Sequence, residues 1–316
     1  MGPPNAVFRL SLIARDTIRE LFLVISLRIP LCLLVTLTCF AQGCSTDRVH
    51  NSSFPLTIDE ATQAWQQMKD APKRLERPLV VLGGWLDPFI VAPSLVKRFK
   101  SVTEDDRIVG VSFGFFGTFE SCREHLIDRV VEAFGEEVGQ ETVKVDVVAF
   151  SMGGLVARDA AAPRDDAMGS SRRLRIVRLF TISTPHRGAR LAGMPTFNRL
   201  QVEMRSGSKF LNGLDKALNE ADYDLLPYVR VEDSIVGEVN AAPEGQTAWW
   251  VTTPPMSRGH GSAYRDSRIL VDIARILRGE TRYTTDPAAE LPESSLNRST
   301  QTSDSSAVDH EATDSE

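Results

Sequence analysis

Apolar runs of strand length alternate with helical patterns along the middle of the chain. "RPLVVLGG" from Arg77, "RIVGVSF" from Arg107, "VKVDVVAF" from Val143 and "RIVRLFTIS" from Arg175 each read as a buried strand. "LPYVRV" from Leu226 and "TAWWVTT" from Thr247 complete a set of six. Phe119 to Val138 reads as an amphipathic helix, with Leu126, Ile127, Val130, Val131 and Phe134 on one face. Ile269, Leu270, Ile273, Ile276 and Leu277 mark a last helix. Strands that are apolar on nearly every residue, and that alternate with helices, predict an α/β fold with a mostly parallel sheet and helices on both faces. No internal repeat is present.

One junction in this pattern is unusual. In "VVAFSMGGLVAR" the third strand stops at Ser151, and a small-residue helix, Met152 to Ala161, follows at once. Ligands of open parallel sheets bind beyond the carboxyl ends of the strands, and a serine on a sharp strand-to-helix turn projects its hydroxyl there. The turn crowds the residues two before and two after the serine, so both must be small. Here they are Ala149 and Gly153. The first N–H groups of the helix face any negative charge that develops beside the hydroxyl.

Serine needs a base to act as a nucleophile. The chain has five histidines, His50, His125, His186, His260 and His310. In this fold class the order along the chain is serine, acid, histidine, which removes His50 and His125. His310 lies in an acidic terminal stretch. His186, in "STPHRG", follows the fourth strand before a later strand could supply the acid. His260, in the glycine-flanked loop "SRGHGSAYRD", is therefore the predicted base, with His186 its rival. The acid belongs after the fifth strand, where Glu232 and Asp233 stand together. Asp233 is favoured because Ile235 and Val236 can bury its carboxylate. The predicted oxyanion donors are the N–H of Met152 and the N–H of Trp85, in the loop "GGWLDPFIVAP" after the first strand. Trp85, Leu86, Phe89 and Ile90 would form an apolar wall. The turn-forming, helix-capping and solvent-exposed roles that Ser, Asp and His commonly take are the alternative readings of these residues.

The formal charge of −6 is concentrated at one end. Residues 284–316 hold eight acids and one base, are rich in Ser and Thr, and are expected to be a disordered acidic tail. The nearly neutral body gives no reason to expect nucleic-acid binding. Residues 1–43 read as a signal peptide or membrane anchor: Arg28 precedes an apolar run to Phe40. Ala41-Gln42-Gly43-Cys44 resembles a bacterial lipobox, which implies lipidation at Cys44, export, and membrane association in the cell envelope. A cleaved or uncleaved signal anchor and a buried helix are the other readings. Cys32, Cys39 and Cys44 sit in or beside this region and only Cys122 lies in the body, so a processed chain has no internal disulfide. No metal-ligand cysteine spacing is present, and neither a metal nor a cofactor is expected.

The motifs "VVLGGW", "VVAFSMGGLVAR", "TISTPHRGARLA", "MRSGSKFLNGL", "EDSIV" and "GHGSAYRDSRIL" resemble the α/β-hydrolase superfamily. Within it they resemble bacterial lipases and esterases related to class 2 lipases and to the GPI inositol-deacylase family. Gly83-Gly84 stands where many relatives have His-Gly, and Ala149 replaces the first elbow glycine. The resemblance implies an α/β-hydrolase domain over 44–283, hydrolysis of an ester or lipid substrate, and a small helical insert over the site, Ala189 to Leu226. Thioester hydrolysis or acyl transfer by the same residues, and a non-catalytic binding protein on the same fold, are the competing functions.

Overall fold

Six strands form where the apolar runs lie: β1 (Leu79–Leu82), β2 (Ile108–Val111), β3 (Val145–Phe150), β4 (Ile176–Ile182), β5 (Asp224–Arg230) and β6 (Trp249–Val251). The computed structural model describes residues 51–85, 87–136, 141–164 and 172–296. The expected N-terminal export region with Cys44, Leu86, and the chain after residue 296 lie outside the described residues. The strands join into one sheet in the order β2-β1-β3-β4-β5-β6, every pair parallel. Parallel neighbours need crossovers, and helices supply most of them.

Two large apolar cores result, one on each face of the sheet, with a smaller third cluster around Val229, Val231 and Trp250 of the β5 and β6 region. Leu79 and Val81 of β1, with Val148 and Phe150 of β3, face α1 (Ile58–Asp70), α2 (Val91–Lys100) and α7 (Ser267–Leu277). Val80 and Leu82, with Val147 and Ala149, face α3 (Phe119–Phe134) and α4 (Met152–Ala161). Successive strand residues thus go to opposite cores, which is why both strands read as unbroken apolar runs.

Several boundaries differ from the sequence reading. α1 has too weak an apolar stripe to stand out, but Thr57 and Glu60 close a capping box at its start, with N–H to side-chain oxygen distances of 2.9 and 3.2 Å. α3 stops at Phe134 and not Val138, because Gly135 (φ 88°) takes a conformation open to glycine. β5 begins at Asp224, two residues early, since Asp224 and Leu225 pair with Arg178 and Leu179 of β4. The insert therefore ends before Leu226. It contains a 3₁₀ turn (Arg190–Gly193) and the helices α5 (Arg199–Glu203) and α6 (Lys209–Leu218).

The expectation of disorder from Thr284 onward is corrected as far as residue 296. Trp249 and Trp250 of β6 donate their indole N–H groups to Thr285 O at 3.0 Å and Ala289 O at 3.0 Å. Ala289 N–H donates to Ser53 Oγ at 2.8 Å, and Thr284 and Ser295 are buried. Composition alone missed this because much of the gain comes from satisfying buried donors on β6, with only Ala288 and Leu291 of the segment packing against the apolar clusters. Among the described residues no helix is long and apolar enough to cross a membrane.

Candidate active site

Ser151 sits between β3 and α4 with φ 53° and ψ −129°, a backbone conformation that side-chain-bearing residues rarely adopt. The surroundings hold it there. Its N–H donates to Ile182 O at 2.9 Å, and its carbonyl accepts from Thr184 Oγ1 at 2.8 Å. Gly153 is required by close approach: a Cβ there would lie 2.4 Å from Gly83 O. At Gly154 a Cβ would meet Thr184 Oγ1 at 2.3 Å. The two glycines therefore let α4 start directly against the ends of β1 and β4. Ala149 is fully buried between Leu82 and Thr181, and its methyl fits.

His260 approaches from the loop between β6 and α7. Its Nε2 lies 3.0 Å from Ser151 Oγ, and its Nδ1 lies 2.8 Å from Asp233 Oδ2. Asp233 is wholly buried just beyond β5. Its other oxygen, Oδ1, accepts from Ile235 N–H at 3.0 Å and Val236 N–H at 2.9 Å. A carboxylate only accepts, so the imidazole proton sits on Nδ1 and leaves Nε2 free to accept from the serine. Gly259 makes the approach possible, because a Cβ there would lie 2.3 Å from Glu232 O. The ring of Phe150 packs against the imidazole at 5.1 Å between centroids. Glu232, the alternative acid, points its side chain to solvent.

His186, the rival base, is engaged elsewhere. It is fully buried, with Nδ1 3.1 Å from Arg158 Nη1 and Nε2 3.0 Å from Thr181 Oγ1. Arginine only donates, so Nδ1 accepts and Nε2–H donates to the threonine. Burial, reinforced by the Arg158 and Arg187 guanidinium groups, holds this imidazole well below its ordinary pKa and therefore neutral. Arg158 also reaches Asp215 of α6 at 2.8 Å, so the pair fastens the insert to α4. The lone body thiol, Cys122, is buried, and desolvation pushes its pKa up to about 12, which leaves it unreactive.

Met152 opens α4, so its N–H has no carbonyl one turn back to donate to. The β1 loop passes close by: a Cβ on Gly84 would lie 3.1 Å from Ser151 Cβ. Asp87, which the sequence did not single out, shapes that loop. Its Oδ1 accepts from Ile90 and Val91 N–H at 2.9 and 3.0 Å, and its Oδ2 accepts from Ser112 Oγ at 3.1 Å. Asp87 and its short polar contacts leave no apolar signature, which is why only the structure reveals the role.

A cavity of about 280 Å³ opens beside Ser151. Trp85 lines it as expected, but Phe89 and Ile90 are half exposed and do not. The apolar wall comes instead from the insert, through Leu191, Ala192, Met194 and Met204, and from Ile235 and Val236. Gln201 is the polar side chain facing it besides the serine. Among the described residues no group of His, Cys, Asp and Glu is arranged to hold a metal ion.

Residues 111–218 match the family described as "Putative serine esterase (DUF676)". None of the curated proteins compared with the chain matches it. Among solved structures it is similar to the phospholipase PlaB from Legionella pneumophila, at 12% identity and TM-score 0.49, over 72% of this chain and 65% of that one. It is also similar to the lipase BlEst2 of Bacillus licheniformis. In the propeptide form the identity is 15% and the TM-score 0.47, over 70% of this chain and 54% of that one. In the mature form the identity is 15% and the TM-score 0.44, over 68% and 95%. The chain thus spans about two thirds of the length of the phospholipase and about half that of the propeptide form.

Proposed function

We propose that this chain, an α/β-hydrolase in fold, is a serine esterase that cleaves carboxylic esters with an apolar, lipid-type acyl group. The reading rests on one observation above the others: the continuous path from Ser151 Oγ through His260 to Asp233, at 3.0 and 2.8 Å. In this reading His260 Nε2 takes the hydroxyl proton as Oγ attacks the ester carbonyl carbon. The carbonyl electron pair moves onto oxygen, where the Met152 and Trp85 N–H groups receive it. Collapse expels the alcohol, which takes the proton from Nε2 and leaves an acyl group on Ser151. Water then repeats the sequence and releases the acid. Asp233 orients the imidazole and stabilises its charged form. The acyl chain lies in the cavity between Trp85 and the insert. The N-terminal segment extends the proposal to location, an exported chain lipid-anchored at Cys44.

A fluorophosphonate reacts with an activated serine and so tests the assignment. Wild type is expected to be labelled at Ser151. Ser151→Ala is expected to remain unlabelled, and to lose at least about 10⁴-fold in hydrolysis of p-nitrophenyl butyrate. Equal labelling of the two proteins refutes the role of Ser151.

A further inference from the structure

Ten large apolar side chains are exposed among the described residues, and their positions are not random. Eight of them, Phe89, Ile90, Phe115, Leu191, Met194, Phe197, Val202 and Met256, lie in segments that follow the carboxyl ends of strands. Because all six strands run parallel, those segments gather at the end of the sheet that carries Ser151. Phe89 and Phe115 come from different loops and meet at 5.3 Å between ring centroids. Leu191 and Met194 line the cavity beside the serine. Phe197 and Met256 are fully exposed and Phe115 is 87% exposed, so these tips stand clear of the protein.

Scattered single apolar residues need no explanation, but a set gathered at one end of the sheet, two of them lining a cavity, does. We propose that this end of the molecule docks on an anionic lipid surface, with Phe89, Phe115, Phe197 and Met256 entering the apolar boundary. Two observations favour lipid over a folded partner. First, two exposed members of the set, Leu191 and Met194, also line the apolar cavity, so the exposed apolar surface reaches the space beside Ser151. Separate projecting tips also suit a fluid surface better than a complementary rigid one. Second, the charge is complementary. The stretch from Arg187 to Lys216 holds six basic and two acidic residues, in a chain whose net charge is −6. The β1, β2 and β6 loops at this end add Arg258 and Arg265 together with Asp87 and Asp266, which are both buried, while the β5 loop adds the exposed acids Glu232 and Glu244. Basic residues next to an apolar face attract anionic headgroups.

The surface stands independently of the catalytic reading, and the test keeps them apart. The full chain carrying Ser151→Ala, which cannot consume the lipid under the proposed function, is compared with the same chain carrying Phe115→Ser, Phe197→Ser and Met256→Ser in addition. None of these three lines the cavity. Binding to vesicles of phosphatidylcholine with 30% phosphatidylglycerol is read by co-sedimentation at low and high salt. The expected result is at least tenfold weaker binding for the added triple substitution, and weaker binding of the parent at high salt. Equal binding of the two proteins overturns the proposal and assigns membrane contact to the N-terminal segment. So does a concentration-dependent dimer that the triple substitution abolishes with no change in vesicle binding, which would make the patch a contact between copies. Fluorophosphonate labelling of a triple variant that retains Ser151 is expected to match wild type, so loss of docking does not touch the esterase assignment.

Discussion

Replacing Asp233 by asparagine changes one atom and, on the geometry, inverts the base. Asp233 Oδ1 accepts two backbone N–H groups, from Ile235 and Val236, and Oδ2 accepts from His260 Nδ1. An asparagine has one acceptor oxygen. If its NH₂ faced the two backbone donors, both would be buried without partners, at about 1–3 kcal/mol each. The oxygen therefore stays with the backbone and the NH₂ turns toward His260. Nδ1 must then accept, the imidazole proton moves to Nε2, and Nε2 points a hydrogen at Ser151 Oγ. The wrong tautomer lowers kcat by about 10⁴ in such a triad, roughly 5.5 kcal/mol of barrier at about 1.4 kcal/mol per tenfold. Glu232→Gln, at an exposed side chain one residue away, should change kcat by no more than about twofold. The assay is kcat on p-nitrophenyl butyrate, with thermal denaturation to show that both variants fold. A kcat for Asp233→Asn within tenfold of wild type, or a more severe effect of Glu232→Gln, refutes the assignment of the acid.

His186 should make the fold acid-sensitive. Its pKa is depressed in the folded state, so the native protein refuses a proton that the unfolded chain takes up below its ordinary value of about 6.5. Stability is full above that pH and falls as pH drops, by up to about 1.4 kcal/mol per unit from this group. Urea midpoints measured from pH 7.5 to 5 should fall less steeply in His186→Gln than in wild type, and parallel curves would show that the imidazole is not the cause. At the other end of the chain, mass spectrometry of protein from a bacterial envelope should find a lipid-modified N-terminus at Cys44. A chain beginning at Met1, or at an unmodified residue after Cys44, would exclude it.

What could be read from the sequence was local or followed chain order. β1 and β3 are buried on both faces, so their burial is written as unbroken apolar runs. The Ala149–Gly153 spacing records the crowding of the turn around Ser151, because each of those positions touches a neighbouring element. Elimination by chain order led to His260, which now stands within hydrogen-bonding distance of Ser151, whereas His186 is bonded to Arg158 and Thr181. What could not be read depends on partners far away in sequence. Asp87 serves Ser112, 25 residues on, and Ser53 serves Ala289 across 236 residues. The cavity wall formed by Met204 and Val236 needs the insert and the β5 loop to meet. No periodicity encodes such meetings.

The backbone of Ser151 links the site to the stability of the whole fold. A positive φ at a residue with a side chain costs of order 1–3 kcal/mol, and the packing of α4 against β1 and β4 sustains it. Ser151→Ala removes the hydroxyl but keeps the Cβ, so the strain remains. Ser151→Gly removes the Cβ and the strain with it, against a gain of about 0.4–1 kcal/mol in the freedom of the unfolded chain. Both variants lose the contact with His260, so comparing them cancels that loss. The glycine variant is therefore expected to be more stable than the alanine variant by up to about 2 kcal/mol. For a domain of this size that corresponds to several degrees in Tm, on a scale of about 2–4 °C per kcal/mol. Both should be inactive toward p-nitrophenyl butyrate. Differential scanning calorimetry of the two proteins decides the point. An alanine variant as stable as the glycine one, or more stable, would mean that the turn after β3 carries no strain and that Ser151 is held by its hydrogen bonds alone.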